Sequence, residues 1–251
     1  MRIPTMKGVV IRAGRAWRWL CLSAAGSLAR PFGMKLSDEP GLIDFLKSRN
    51  IDIVVDVGAN EGQFGKELRK MGYRGRIISF EPLAESFERL KAASDKDENW
   101  TIINSAVGDT DGDITINRTR STVYSSINEV SSYGLARDNG MSVISRDVVP
   151  IMRLDGMEDL QRAEQIFLKV DTQGYEKQVL TGASGLLPIV LGIQLELPVK
   201  HLYDGVWDFM KALEFVGQIG YCPAQFRTVC GAAEVPASAI EFDCVFRKTA
   251  A

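Results

Sequence analysis

The segment from Ile53 to Gly62 constrains the fold of this chain more than any other. Its first five residues are β-branched apart from Asp56, which is expected of a strand buried on both faces of a parallel sheet. Gly58 and Gly62 follow, where a backbone must turn tightly or approach a ligand. The segment therefore predicts a first strand, a turn and a helix, an arrangement that binds nucleoside-containing cofactors.

The turn lacks the G-x-G-x-x-G pattern with which a nicotinamide or flavin dinucleotide binds through its pyrophosphate. Asp56 comes two residues before Gly58, and a carboxylate there repels a pyrophosphate but suits an amino group or a sulfonium. The pattern D-x-G-x-x-x-G therefore favours S-adenosylmethionine. The candidate contacts are Asp56, Gly58, Asn60 and Gly62. The alternative is an ordinary strand-to-helix turn without a ligand.

An acidic residue also closes the second predicted strand, residues 76–80. Glu81 lies 23 residues after Gly58, the position from which a carboxylate accepts hydrogen bonds from both ribose hydroxyls. A helix-capping carboxylate is the alternative interpretation. A third strand is predicted over residues 100–106, and Ser105 and Ala106 at its end are candidates for the adenine pocket.

The remaining pattern completes a doubly wound, Rossmann-like α/β fold. Residues 165–171 and 189–197 predict two further strands joined by helices, and residues 220–230 and 240–246 predict an antiparallel C-terminal hairpin, giving a seven-stranded sheet. Between the third and fourth strands, residues 112–152 predict an antiparallel excursion. Its polar residues are hydroxyl-binding candidates or simply a solvated hairpin: Arg118, Arg120, Ser121, Thr122, Ser125, Ser126 and Asn128.

Charge divides the chain into two predicted regions. Seven basic residues and no acidic residue precede Asp38, which leaves 23 basic against 32 acidic residues in the remainder. We expect a basic leader, residues 1–37, and a single catalytic domain, residues 38–251. Nucleic acid is not an expected partner of the acidic domain.

The cysteines, Cys21, Cys222, Cys230 and Cys244, lack C-x-x-C spacing, and His201 is the single histidine, so no zinc pattern is present. They predict buried, reduced thiols in a cytoplasmic protein. The longest uncharged apolar segments are too short or too interrupted by Gly and Pro for a membrane span, which takes about 20 residues.

The leader forms a basic amphipathic pattern on a helical wheel. Ile3, Val10 and Trp17 share one side, and Arg12 and Arg15 lie on the other. Such a helix predicts peripheral contact of residues 1–30 with the anionic inner face of the membrane. Packing on the domain or on a second subunit in a homo-oligomer is the alternative, and a cleaved signal is less favoured.

With these residues located, the sequence resembles the FkbM family of S-adenosylmethionine-dependent methyltransferases. The resemblance covers about residues 51–246 and is carried by Val55–Gly62, Phe80–Pro82, Ala106–Gly108, Arg153–Asp155, Leu168–Glu176 and Val179–Gly182. It implies the class I methyltransferase fold and O-methylation of sugars or of polyketide-type products. The chain departs from the family at residues 172–176, Thr-Gln-Gly-Tyr-Glu, where a Val-Glu-Gly-Ala-Glu-like run is usual.

Methyl transfer to an alcohol requires a base for the hydroxyl proton. Reacting groups collect at the carboxyl ends of parallel strands, which makes Asp171 and Glu196 candidates, and His201 is a third with a suitable pKa range. Asp171 is also a candidate for holding the methionyl end of the cofactor, with Lys169 as its ion-pair partner. Asp171 and Glu196 together are a candidate site for a divalent cation such as Mg²⁺.

The leading functional hypothesis is an O-methyltransferase that acts on a hydroxyl of a sugar in a glycolipid or polysaccharide. A polyketide-type or other small-molecule acceptor is the alternative. A nicotinamide-dependent oxidoreductase and a non-catalytic cofactor-binding protein are less favoured.

Overall fold

The computed structural model describes residues 41–231 and 238–249. The leader, with its predicted membrane or subunit contact and the boundary at residue 37, lies outside the described residues. The helices are α1 (Leu42–Ser48), α2 (Gln63–Lys70), α3 (Ala84–Ser94), α4 (Ser132–Arg137), α5 (Glu158–Gln161), α6 (Glu176–Gly182) and α7 (Phe209–Gln218). The strands are β1 (Ile53–Val57), β2 (Arg76–Phe80), β3 (Trp100–Ile103), β4 (Ala106–Val107), β5 (Gly112–Thr119), β6 (Val143–Met152), β7 (Ile166–Val170), β8 (Val190–Pro198), β9 (Tyr221–Gly231) and β10 (Ala239–Lys248).

The main sheet has seven strands in the order β3-β2-β1-β7-β8-β10-β9. β3, β2, β1, β7 and β8 are parallel, whereas β10 is antiparallel to both β8 and β9. The order reverses between β1 and β7, which places a ligand-binding crevice at the carboxyl ends of these strands. The predicted doubly wound sheet with an antiparallel C-terminal hairpin is confirmed.

Apolar strands explain why the sheet is covered on both faces. Every residue of β1 and of β7 is buried. Val55 and Val57 belong to a core on one face that also contains Val179 of α6 and Val216 of α7. On the other face, a Cβ at Gly62 would touch Leu90 of α3 and Trp100 of β3, so helix α2 begins close against these residues.

A second sheet corrects the predicted end of the third strand. β3 ends at Ile103, and Ala106 and Val107 form β4, which pairs with β6 in a three-stranded sheet of order β4-β6-β5. The strand stops early because Asn104 Nδ2 donates to the backbone oxygens of Glu81 (2.8 Å) and Pro82 (3.1 Å) and turns the chain away. β5 and β6 are antiparallel, which confirms the predicted excursion.

A side-chain hydrogen bond sets the start of the last helix. Helix α7 begins at Phe209, because Asp208 Oδ1 accepts the backbone N–H of Lys211 and caps the helix there. Cys222 and Cys244 are free thiols. In residues 41–231 and 238–249, no helix is long and apolar enough to cross a membrane.

Candidate functional site

A cavity of about 350 Å³ opens at the carboxyl ends of the parallel strands. Its volume lies within the range of about 300–1,000 Å³ that small-molecule sites occupy. The cavity brings together most of the residues that the sequence pattern singled out: Gly58, Asn60, Glu81, Ser105, Ala106, Asp171 and Glu196.

The turn after β1 depends on two glycines for different reasons. Gly58 has a φ of 76°, and a Cβ there would overlap the backbone oxygen of Asp171, so the turn and the end of β7 approach as closely as backbones can. Gly62 has a φ of 78° but does not line the cavity. Gly62 serves the packing of α2, whereas Gly58 shapes the wall of the cavity.

Glu81 fastens the turn after β2 to the turn after β1. Its carboxylate accepts the backbone N–H groups of Asn60 and Leu83, both at 2.9 Å. The side chain is buried, and burial raises the pKa of Glu81 to about 7 although both hydrogen bonds favour the ionised form. Asn60 Oδ1 is also buried and has no hydrogen-bond partner among the described residues. A nucleoside's hydroxyls and amino groups match these acceptors.

The wall beside Glu81 is apolar. Leu83, Ala106, Val107 and Ile116 line it. The hydroxyl of Ser105 is directed to backbone oxygens, at 2.8 Å from Ala106 O and 3.1 Å from Pro150 O, so it ties β4 to β6. An apolar slot of this kind suits a flat base such as adenine.

Asp56 is fully buried and does not line the cavity. It lies in register with Ser79 on β2 and Lys169 on β7, and Lys169 is in register with Gln194 on β8. Lys169 Nζ lies 3.0 Å from Asp56 Oδ1 and 3.2 Å from the backbone oxygen of Gly58. Burial lowers the pKa of Lys169, but Asp56 and Asp171 outweigh burial and raise it, so the ammonium stays charged.

Asp171 and Glu196 are joined by one amide group. Gln173 Nε2 donates to Asp171 Oδ1 at 2.7 Å and to Glu196 Oε2 at 2.8 Å, while its Oε1 accepts the hydroxyl of Tyr203 at 2.8 Å. Burial and the nearby carboxylates of Asp171, Glu241 and Asp243 raise the pKa of Glu196 well above its usual range. The carboxyl group of Glu196 therefore holds a proton more readily than an ordinary glutamic acid does.

The loop between β7 and α6 is braced from two sides. Glu176 Oε1 accepts the backbone N–H groups of Thr172 (3.1 Å) and Gly174 (2.9 Å). From the excursion, Ser126 Oγ donates to Gln173 O at 2.7 Å and Asn128 Nδ2 donates to Gly174 O at 2.9 Å. Ser126 and Asn128 thus support the loop, whereas Thr122 and Ser125 line the cavity.

His201 lies apart from the other candidates. Its side chain is exposed, its backbone oxygen accepts Ser131 Oγ at 2.8 Å, and it does not line the cavity. In the part of the chain that the structure describes, no group of three or more His, Cys, Asp or Glu side chains is arranged to hold a metal ion. The position between Asp171 and Glu196 is taken by the Gln173 amide.

Sequence reasoning missed several residues of the cavity wall. The sequence marks Gln173 only as a departure from the family and Lys169 only as an ion-pair partner of Asp171, whose Oδ2 is 3.6 Å from Lys169 Nζ. Further examples are Phe64, Gln194, Arg227 and Asp243. A signal for Lys169 is that β1, β2 and β7 each have one polar residue in their apolar interior. These residues, Asp56, Ser79 and Lys169, are buried and lie side by side in the sheet.

The reversed strand order, the glycine turn and the buried carboxylate after β2 define a Rossmann-like protein that binds a nucleoside cofactor. Residues 56–221 match the methyltransferase FkbM domain. The chain therefore belongs to the FkbM family of S-adenosylmethionine-dependent methyltransferases. The glycine cradle, the carboxylate and the apolar slot fit this cofactor.

Two solved structures with similar folds are methyltransferases. The magnesium protoporphyrin IX methyltransferase from Synechocystis PCC 6803, crystallised with S-adenosylmethionine, is 10% identical with a TM-score of 0.45, covering 83% of this chain and 76% of that one. The precorrin-6y C5,15-methyltransferase from Geobacter metallireducens GS-15 is 12% identical with a TM-score of 0.43, covering 86% and 94%. No curated protein matches the sequence.

Proposed function

We propose that the protein is an O-methyltransferase that acts on a hydroxyl of a sugar in a glycolipid or polysaccharide. The observation that carries the proposal is the Asp171–Gln173–Glu196 bridge, which holds two carboxylates in the same cavity as the cofactor turn. An alcohol needs a base to become a nucleophile, and a carboxylate whose pKa is raised is a stronger base than an ordinary one.

The division of labour follows from the chemistry. When bound, S-adenosylmethionine supplies a methyl carbon activated by its sulfonium, which leaves alignment and proton removal to the protein. Glu196 takes the proton of the acceptor hydroxyl. The amide of Gln173 holds the carboxylate of Glu196 next to that of Asp171. Thr122 and Ser125 on the cavity wall offer hydroxyl partners for a polyhydroxylated acceptor.

The experiment that tests this function is transfer of a labelled methyl group to extracted glycolipids and polysaccharides. The glycan is hydrolysed with acid, and label that remains on the released sugars as a methyl ether supports the proposal. Label that enters only small hydroxylated natural products favours the polyketide-type alternative, and label that enters only amines or carbon centres contradicts O-methylation.

The proposed location is the cytoplasm, with residues 1–30 on the inner face of the membrane. The support is the basic, apolar-striped pattern of the leader, since each basic residue near an anionic surface contributes about 1 kcal/mol. Co-sedimentation with anionic vesicles should be compared for the full chain and for a chain that starts at Lys35. Equal binding by the two chains contradicts the membrane role, and a concentration-dependent change in mass only for the full chain favours a homo-oligomer contact.

A further inference from the structure

The cavity wall contains more acidic than basic side chains. Among the described lining residues the acidic side chains are Glu67, Glu81, Asp171, Glu196 and Asp243, and the basic ones are Lys169 and Arg227. One end of the cofactor is an amino acid, so the carboxylate of that amino acid must bind among these acidic side chains. A carboxylate that leaves water without a cationic or N–H partner is strongly disfavoured.

Position distinguishes the two basic residues. Gly58 and Glu81 follow β1 and β2, and Lys169 is on β7, the immediate neighbour of β1 in the sheet. Arg227 is on β9, four strands from β1, so at about 4.8 Å per strand the backbones of these two strands are about 19 Å apart. When the ribose binds at Glu81 and the rest of the cofactor extends past Gly58, its amino-acid end reaches Lys169 before Arg227.

Availability distinguishes them as well. The side chain of Arg227 is 68% exposed, and Nε and Nη2 are both directed to Asp243 Oδ2, at 3.2 Å and 2.5 Å. An ammonium has three N–H donors. Lys169 Nζ donates one of them to Gly58 O at 3.2 Å and forms an ion pair with Asp56 Oδ1 at 3.0 Å. Asp171 Oδ2 is 3.6 Å away, so among the described residues the ammonium keeps a donor for a ligand.

We propose that the ammonium of Lys169 binds the carboxylate at the amino-acid end of S-adenosylmethionine. Asp56 then acts as a positioning residue: fully buried beneath Lys169, it holds the ammonium against the Gly58 turn. The proposal rests on the cofactor and does not depend on which acceptor is methylated.

Calorimetry with two ligands tests the proposal without an acceptor. S-adenosylhomocysteine carries the amino acid, whereas 5′-methylthioadenosine keeps the adenosine and the thioether but lacks the amino acid. Lys169→Met is expected to weaken S-adenosylhomocysteine roughly tenfold or more, the scale of a hydrogen bond to a charged group. Affinity for 5′-methylthioadenosine should not change. The matched control, Lys200→Met at an exposed lysine outside the cavity lining, should leave both affinities unchanged.

Lys169→Met leaves Asp56 buried without its partner, which strongly destabilises a fold. The second variant, Asp56→Asn with Lys169→Gln, keeps a neutral polar pair and is expected to show the same selective loss. Equal weakening of both ligands in a folded variant means that Lys169 only shapes the cavity and overturns the proposal. A wild-type protein that binds S-adenosylhomocysteine no better than 5′-methylthioadenosine also overturns it. If the wild type binds neither, the cofactor assignment fails and the proposal with it.

Discussion

The backbone N–H of Asn60 lies 2.9 Å from Oε2 of Glu81 and donates to it, joining the turns that follow β1 and β2. Because Glu81 is buried, its pKa rises to about 7 despite this bond. Ribose hydroxyls that donate to the carboxylate favour its ionised form, so a bound nucleoside lowers this pKa again.

The first prediction is therefore a pH dependence of cofactor affinity. Binding of S-adenosylhomocysteine should expel a proton below pH 7, so affinity should rise from about pH 6 to 8 and then level off. Glu81→Gln should remove this slope and weaken binding roughly tenfold or more at pH 8, as expected for lost bonds to a charged acceptor. Calorimetry measures both effects. The exposed Glu85→Gln is the control, and a slope that persists in Glu81→Gln contradicts the ribose assignment.

The second prediction uses two glycines with positive φ. Gly58 (φ 76°) would overlap Asp171 O if it carried a Cβ, whereas Gly72 (φ 89°) has open space around that position. Gly72→Ala should cost only backbone strain, about 1–2 kcal/mol in the free energy of unfolding. Gly58→Ala should cost more and abolish S-adenosylhomocysteine binding. Denaturant melts and calorimetry provide the comparison, and equal losses in the two variants would mean that the close approach to Asp171 is unimportant.

The features that could be predicted from the sequence are those encoded over short distances. The apolar run of β1 and Gly58 are recognised within a few residues, and Glu81 is recognised because it directly follows the next apolar strand. Gln173 did not, because its role depends on Glu196 from another strand and on Tyr203, 30 residues away along the chain. The pairing of Asp56 with Lys169 depends on strand register, which local pattern does not reveal.

Competing side-chain bonds explain the other differences. β3 ends at Ile103 because the side chain of Asn104 binds the backbone at Glu81 and Pro82, a contact between segments more than 20 residues apart. Likewise, His201 is a candidate base from its residue type alone, but the chain after β8 leaves the histidine exposed and outside the cavity lining.

The third prediction concerns the proposed base. Asp171→Asn and Glu196→Gln should fold and bind S-adenosylhomocysteine, and at least one should lower methyl transfer roughly 10²-fold, the scale of lost general-base catalysis. The measurement is the rate of label transfer to the glycan fraction that the wild type methylates. His201→Gln is the control and should transfer at the normal rate. Normal rates in both carboxyl variants, with a slow His201→Gln, would move the base to the histidine.

The fourth prediction tests the space between the two carboxylates. In the wild type an amide nitrogen lies 2.7 Å from Asp171 and 2.8 Å from Glu196. Gln173→Glu replaces this donor with a third carboxylate, which repels its neighbours but completes a set of oxygen ligands suited to Mg²⁺ or Mn²⁺. We expect its melting temperature to be below that of the wild type in chelator and to recover when Mg²⁺ or Mn²⁺ is added.

Gln173→Leu is the matched control for this last experiment, because it removes both hydrogen bonds without adding charge. It should melt low in chelator and remain low with cation, since it provides no new ligand. If Gln173→Glu also ignores the cation, the three side chains do not converge and the bridge does not define a ligand position. If the wild type itself is stabilised by Mg²⁺ and Asp171→Asn abolishes that response, a cation binds beside the amide, and the acceptor hydroxyl is activated by a metal rather than by Glu196 alone.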